Sequence, residues 1–264
     1  MDWSKTKTIF IFAFLVLDLF LAWQYSQKVV TSEYDSIQVE SIQDQLSAEE
    51  ITYPPLPADV SKVDLLSVKR HLFTPEEAAA LKEQEPVFDL SEKKPEPVLQ
   101  MELKSPIPVK KEDIQKADEL VSAKLLFGDQ YVYWSFDEEK GMITYLQQVD
   151  GKTLYQKLTK QPIGVIKLHL NDQSEIINYE QTYVEATAEE QQQDTLSATK
   201  AVSQLYSEND LKPKSSITKI DLGYYTEQEF SEQSLQPYWY IEINDKEDYF
   251  VNAFDGQIVR PNQE

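Results

Sequence analysis

Residues 112–158 read EDIQKADELVSAKLLFGDQYVYWSFDEEKGMITYLQQVDGKTLYQKL, and this stretch decides the fold. In 112–127, apolar residues three and four apart follow Glu112 and Asp113, which predicts a helix with one buried face. Gly128 predicts the end of that helix. The remainder alternates strand-like runs with turns that contain glycine, which predicts an antiparallel meander. Its predicted strands are 131–136, 142–149 and 153–158.

The same order, one helix followed by strands, occurs again toward the C-terminus. A second helix is predicted from Thr195 to Glu208. Further strands are predicted at 163–170, 176–184, 217–225, 238–243, 249–254 and 257–259. This segregation of helices and strands predicts the α+β class, with helices packed on one face of antiparallel sheets. The repeated order allows two similar subdomains, 112–190 and 191–264, although no strong sequence repeat links them.

Residues 26–83 are predicted to form a stalk and the N-terminal part of an external domain. Residues 26–50 are polar, with Ile37, Ile42 and Leu46 at loose helical spacing, and a strand is predicted at 60–73. At 74–77 the sequence TPEE then predicts a helix start, because threonine caps a helix and proline suits its first position.

Residues 84–111 contain a series of prolines among mixed charges. Proline breaks helices and sheet ladders, so we predict a long connector or an edge-hugging segment without regular structure here. The alternative is a proline-rich ligand for another domain. The prolines concerned are Pro86, Pro95, Pro97, Pro106 and Pro108.

A membrane segment is predicted near the N-terminus. Residues 9–23 read IFIFAFLVLDLFLAW, and Trp3 and Trp23 are separated by roughly 30 Å of helix, the thickness of a bilayer's hydrocarbon core. We predict a transmembrane helix over 9–25 behind a cytoplasmic tail, 1–8. A cleaved signal peptide is the alternative, but bulky residues stand where a cleavage site needs small ones. Lys5 and Lys7 place the N-terminus in the cytoplasm and the C-terminal domain outside the cell.

Asp18 is the one polar residue of the apolar run. A carboxylate near the centre of a membrane helix costs about 3 kcal/mol, which the surrounding apolar residues outweigh. We expect Asp18 to face a polar group on a partner helix, and a lipid-tolerated acid without a partner is the alternative. The residues on the same helical stripe, which we predict to bind the partner, are Ile11, Phe14, Leu15, Asp18, Leu21, Ala22 and Tyr25.

The charge of the chain excludes several classes of partner. Lys and Arg number 25 against 46 Asp and Glu, a formal charge of -21, and almost all of both kinds lie beyond residue 25. Such a charge repels nucleic acid and anionic polymers, so we expect no nucleic-acid partner and contact with membrane lipid only through the one helix. The six glycines form no phosphate-binding loop.

Few residues favour catalysis or metal binding. The chain has no cysteine, and its two histidines, His71 and His169, lie far apart without a zinc-binding spacing. The acidic run 245–248 lacks the ligand pattern of an EF-hand and is predicted to be a solvated hairpin turn. We therefore predict no catalytic residue, no metal site and no cofactor.

Aromatic residues are concentrated in the C-terminal strands, at 224–225, 238–240 and 249–250. Alternation along a strand places half of them in the core and half on the opposite face of the sheet. The outer half predicts either a binding surface or ordinary cross-strand packing.

Four segments together resemble the YycI (WalI) family: MDWSKTKT (1–8), the apolar segment with Asp18, ITYP (51–54) and YFVNAFDGQI (249–258). The resemblance implies a membrane-anchored extracytoplasmic regulator of the WalK–WalR (YycG–YycF) two-component system of low-GC Gram-positive bacteria. Such a regulator acts with a YycH-like sister protein on the WalK-like sensor histidine kinase through transmembrane contacts. The resemblance implies no enzymatic activity and names no catalytic residue.

From the residues alone, a single anchor and an external module without a catalytic motif favour a protein that acts by interaction. Two alternatives stay open at this point. The external domain can be a module that binds a wall-derived ligand or modulates a protease, or a cell-wall hydrolase that uses a carboxylate pair.

Overall fold

The computed structural model describes residues 7, 11, 13–21, 42–58, 60, 62–87, 95–157, 162–189, 193–228 and 230–261. Residues 13–21 and 42–48 are helical. Three further helices are α1 (Pro75–Ala80), α2 (Gln115–Lys124) and α3 (Ala198–Ser207), and a 3-10 turn, Gly128–Gln130, follows α2. The strands are β1 (Lys62–Val63), β2 (Leu66–Arg70), β3 (Gln84–Pro86), β4 (Leu99–Pro108), β5 (Tyr131–Asp137), β6 (Met142–Val149), β7 (Lys152–Gln156), β8 (Val165–Leu170), β9 (Glu175–Gln181), β10 (Val184–Ala188), β11 (Gln193–Asp194), β12 (Ile217–Thr226), β13 (Glu232–Ile243), β14 (Glu247–Asn252) and β15 (Ile258–Val259).

Most strands join one large sheet. Its main path is β10-β2-β13-β12-β7-β6-β8-β9-β4-β3; β5 pairs with β6, β14 pairs with β13, and β15 pairs with β14. The strand pairs are antiparallel except β7 and β12, which run parallel. The α+β class is confirmed, and the sheet is mixed where fully antiparallel sheets were predicted.

Two of the helices, α1 and α3, begin where the sequence provides a side-chain cap. The Thr74 hydroxyl accepts a hydrogen bond from the Glu77 amide while the Glu77 carboxylate accepts one from the Thr74 amide, with Pro75 in the first turn of α1. The Ser197 hydroxyl caps α3 by accepting from the Lys200 amide. Both predicted starts are confirmed to within a few residues.

Two hydrophobic clusters lie under helices. In the first, α3 packs on the C-terminal strands together with residues 42–48, whose Ile42 and Leu46 are buried. In the second, α2 packs on β4, β5, β6, β8 and β9. The described part of the predicted stalk thus contributes to the core, because its apolar residues complete the first cluster.

A side chain links β10 to β6. The Gln147 side-chain amide donates to the Val184 carbonyl (2.8 Å), and the Val184 amide donates to the Gln147 side-chain oxygen (3.0 Å). Gln147 is 1% exposed. The Gln147 side chain therefore joins the two ends of the strand path β10-β2-β13-β12-β7-β6, so that these strands form a closed ring. Its two hydrogen bonds also satisfy both backbone groups of Val184.

The prediction that residues 84–111 lack regular structure is wrong. β3 and the ten-residue β4 lie within this range, and β4 pairs with β9. The prolines are accommodated because Pro106 falls at a register shift between Glu102 and Ile107, and Pro86 and Pro108 end their strands. Proline is tolerated at bulges and strand ends, where no ladder hydrogen bond is lost.

Candidate functional site

The predicted partner-binding stripe lies partly within the described residues. Ile11, Phe14, Leu15, Asp18 and Leu21 are all helical and exposed. Ala22 and Tyr25 lie outside the described residues, as does part of the predicted segment 9–25. No helix in the described part of the chain is both long and apolar enough to cross a membrane.

Large apolar side chains on other faces of this helix are exposed as well. Val16 is 64% and Leu19 63% exposed, against 61% for Phe14 and 51% for Leu15 on the predicted stripe. The helix thus presents apolar side chains all round, as a segment in lipid or in a protein core does. Burial does not distinguish the stripe from the rest of the helix.

The C-terminal aromatic residues alternate between two faces, as predicted. Tyr224, Trp239 and Tyr249 belong to the cluster that contains α3. Tyr225 and Tyr240 project to the opposite face and join a third cluster, whose buried members are Leu146, Tyr155, Val165, Tyr225, Tyr240 and Phe250. We name this third set, with the partly buried Trp134, Tyr238 and Val259, the aromatic cluster.

The aromatic cluster is packed and not open. Tyr240 is 1% and Phe250 3% exposed. The Tyr225 ring stacks on Phe250 with centroids 4.1 Å apart, and Tyr155 stacks on Tyr240 at 4.8 Å. Of the two interpretations of the outer aromatic residues, cross-strand packing therefore describes this face.

Tyrosine hydroxyls bond to carboxylates around these clusters. Tyr240 donates to Asp248 (2.8 Å), and Tyr145 donates to Asp118 (2.7 Å). Burial, followed by the neighbouring carboxylate, raises the pKa of both tyrosines far above the usual value and raises the pKa of Tyr224 to about 12. The chain has too few Lys and Arg side chains to pair with every carboxylate. Neutral tyrosine hydroxyls supply hydrogen-bond donors to some of these carboxylates.

His71 lies between two carboxylates. Its Nδ1 is 3.1 Å from Glu185 Oε1 on β10, and its Nε2 is 3.1 Å from Glu77 Oε1 on α1. The His71 ring also meets Phe73 edge to face, with centroids 5.1 Å apart. Burial raises the pKa of Glu77, but the Thr74 amide and hydroxyl and His71 outweigh it and hold the pKa below its usual value. We name His71, Glu77 and Glu185 the His71 triad.

One cleft among the described residues has a volume of about 880 Å³. It is bordered by the loops 108–113, 138–141 and 171–174, and mixes lysines with acids. Lys140 pairs with Asp137 (2.8 Å), and Lys111 lies 3.8 Å from Glu138. This mixture of charges does not select a ligand of one sign.

The predicted hairpin turn in the acidic run is confirmed, since residues 244–246 form the turn between β13 and β14. Within the described ranges, no three acidic or histidine side chains come together as metal ligands. The acids that follow the turn accept hydrogen bonds from tyrosines instead, Asp248 from Tyr240 and Glu247 from Tyr249.

A family model described as YycI protein matches residues 31–254. The chain belongs to the YycI family. This confirms the resemblance in the sequence. The match does not include residues 1–30, so the predicted membrane segment of this YycI-family chain rests on its own sequence.

Solved structures provide more distant likenesses to this YycI-family chain. An uncharacterized protein from Eubacterium rectale has a TM-score of 0.46 and 10% identity, over 80% of this chain and 91% of that one. YycH from Bacillus subtilis has a TM-score of 0.41 and 13% identity, over 79% and 54% of the two chains. The YpeB C-terminal domain from Bacillus megaterium has a TM-score of 0.36 and 13% identity, over 73% and 89%. No curated protein matches the chain.

The sequence did not predict two sets of contacts in this YycI-family chain, the His71 triad and the pair Gln147–Val184. Both depend on elements that are distant in the chain, since Glu185 comes 114 positions after His71 and Val184 comes 37 positions after Gln147. The one signal present in the sequence was the acid three residues after Thr74, which predicted the cap but not its contact with His71.

Proposed function

We propose that this protein is a non-enzymatic, membrane-anchored extracytoplasmic regulator of a WalK-like sensor histidine kinase, acting with a YycH-like partner. Membership of the YycI family over residues 31–254 is the observation that supports it most. The anchor is the segment 9–25, with the N-terminus in the cytoplasm and the remaining chain outside. Lys5 and Lys7 on the short side of the apolar run support that orientation.

The regulatory contact is assigned to the anchor helix. Asp18 is exposed on a helix that is apolar on every side, and a carboxylate in hydrocarbon is most stable when a neighbouring helix bonds to it. A partner changes the activity of a kinase only as far as it binds one of the kinase's states more tightly. We assign that differential contact to Asp18 and the stripe around it.

The experiment compares wild type, Asp18→Asn and Asp18→Leu at matched amounts in the membrane. Asp18→Leu removes an insertion cost of about 3 kcal/mol but weakens partner binding by about 1 kcal/mol, the scale of an interhelical polar contact. Asp18→Asn keeps hydrogen-bonding groups and should be intermediate. The readouts are co-purification of kinase and sister protein from mild detergent, and reporter output of the pathway.

Equal recovery and output for all three variants would place the contact elsewhere. A chain truncated after residue 30 then separates the remaining possibilities. Regulation retained by that fragment assigns the contact to another face of the helix, whereas regulation lost assigns it to the external domain.

The orientation has its own test. External protease applied to intact protoplasts should degrade the chain to a small anchored fragment. An intact external domain recovered from the medium, with a new N-terminus near Ser26, would show cleavage instead of anchoring.

The alternative of a ligand-binding external module is favoured by one observation, the cleft of about 880 Å³ beside the start of α2. Saturable binding of wall fragments that is lost when Lys116, in that cleft, is changed to Glu would support it.

A further inference from the structure

We infer that the His71 triad is a pH-sensitive latch that joins β2 and β10 to α1, closed when His71 carries a proton and loosened when the proton leaves. The inference rests on the contacts of the external domain and does not depend on the proposed regulatory role. No membrane contact or partner is needed for it.

The geometry favours two donors on one ring. Both ring nitrogens of His71 lie 3.1 Å from a carboxylate oxygen, Nδ1 from Glu185 and Nε2 from Glu77. A neutral imidazole has one donor nitrogen and one acceptor nitrogen, so one of the carboxylates would face a lone pair. Only the imidazolium donates to both, and it also neutralises one of the two negative charges.

In the described part of the chain, the groups that contact the ring are acidic or aromatic. From α1 the facing charged group is Glu77, and from β10 it is Glu185. The other contacts are the ring edges or faces of Phe73, Phe127 and Tyr183, with centroids 5.1 to 5.9 Å away. Lys69 is the cross-strand neighbour of Glu185. The side chains of His71 and Glu77 are 18% and 29% exposed, so this pair is shielded from water more than a surface pair is. The Glu185 side chain is exposed, so water screens its pair with His71 more strongly.

The His71 triad is connected to backbone hydrogen bonds on both of its sides. Glu77 also accepts from the Thr74 amide (2.7 Å), so it connects His71 to the cap of α1. The His71 amide donates to the Tyr183 carbonyl (2.9 Å), and the Phe73 amide donates to the Glu96 carbonyl (2.8 Å). Loss of the imidazolium therefore weakens the segment between the two helix-covered clusters, since Phe73 belongs to one of them and Val68 to the other.

The sign of the effect follows from which form is bound. The stability from the imidazolium is present while His71 carries the proton and is lost when the proton leaves. Glu77 acts in the opposite direction, because its pKa lies below the usual value and its contribution is lost as the pH falls through that lower pKa. The His71 triad is therefore complete while His71 is protonated and Glu77 is ionised.

The test measures thermal unfolding of the full-length chain in detergent micelles from about pH 5.5 to about pH 8. Wild type should lose about 2–4 °C more in Tm between about pH 5.5 and about pH 8 than His71→Gln. The matched control is His169→Gln, which removes the other histidine and should follow wild type. Equal pH dependence of wild type and His71→Gln would overturn the inference.

A second variant keeps the test decisive if His71→Gln does not fold. Glu185 is 65% exposed on its side chain, so Glu185→Gln should fold and should show about half of the wild-type pH dependence. Hydrogen exchange localises the effect. After correction for intrinsic rates, protection of the His71 and Phe73 amides should fall several-fold from about pH 6 to about pH 8. That of Leu168 in β8 should not. Uniform loss of protection, or none at His71, would contradict the latch.

Discussion

Strands β12, β13 and β14 bury both of their faces, but the two faces are covered differently. On one face α3 and residues 42–48 lie over Tyr224, Trp239 and Ile241. On the other face the described residues place no helix, and the rings of the aromatic cluster cover one another, with Trp134 of β5 edge-on to Tyr155 and Tyr240 at 5.5 and 5.2 Å. Regular alternation thus produces two cores whose stabilities have different sources.

Alkaline pH should unfold both cores in one transition. Its effect on stability should be larger than that of any single substitution below. Buried tyrosines lie on both faces, and burial raises their pKa, to about 12 for Tyr224. The stability that they contribute is fully present below about pH 10, the unfolded value, and is lost as the pH rises through the folded values. Circular dichroism and tyrosinate absorbance should change in one step. Tyrosine ionisation with an intact fold would contradict this prediction.

A pair of tryptophan variants distinguishes the two faces. Trp239 is fully buried under α3, and its Nε1 donates to the Leu196 carbonyl (2.9 Å), so Trp239→Ala should reduce the free energy of unfolding by about 3–5 kcal/mol. Trp134 is only partly buried, and Trp134→Ala should cost about 1–3 kcal/mol. Urea unfolding measures both. A larger loss for Trp134→Ala would make the aromatic cluster the main core.

Removing single hydroxyl groups tests the hydrogen bonds between tyrosines and carboxylates on the two faces of these strands. Tyr240→Phe leaves Asp248 without the hydrogen bond of 2.8 Å and should cost about 1–2 kcal/mol at neutral pH. Tyr249→Phe is the matched control on the α3 face, where Tyr249 donates to Glu247 (2.9 Å), and it should cost less because that pair is more exposed to water. Equal urea midpoints for Tyr240→Phe and wild type would mean that water replaces the bond.

The smallest effect is expected for Lys219. Its ammonium lies 5.6 Å from the Tyr240 ring centroid and 6.0 Å from that of Trp134, on the open side of the aromatic cluster. Lys219→Met keeps most of the side-chain volume and removes the charge, so it should cost about 0.5 kcal/mol. The same loss in the Trp134→Ala background would show that the Trp134 ring is not the partner of the charge.

Local features of this fold could be predicted from the sequence. The caps at Thr74 and near Ser197, the meander after α2 and the alternation in β12 to β14 all depend on neighbours in the chain. The parallel pair β7–β12, the bulged β4 and the His71 triad could not, because each depends on which distant strands become neighbours. The partner-binding stripe stays a prediction, since its contacts would lie on another chain.

Because β2 pairs with β10 and β13, the fold can be completed only late in the synthesis of the chain. The Tyr224 hydroxyl bonds to the Asp64 carbonyl, a partner 160 residues earlier, and β2 pairs with the start of β13. At a synthesis rate of about 5–20 residues per second, the early strands wait roughly 8–30 s for their partners. Until β10 and then β13 are made, the apolar residues of β2 lack their partner strands, so the incomplete chain is open to proteases.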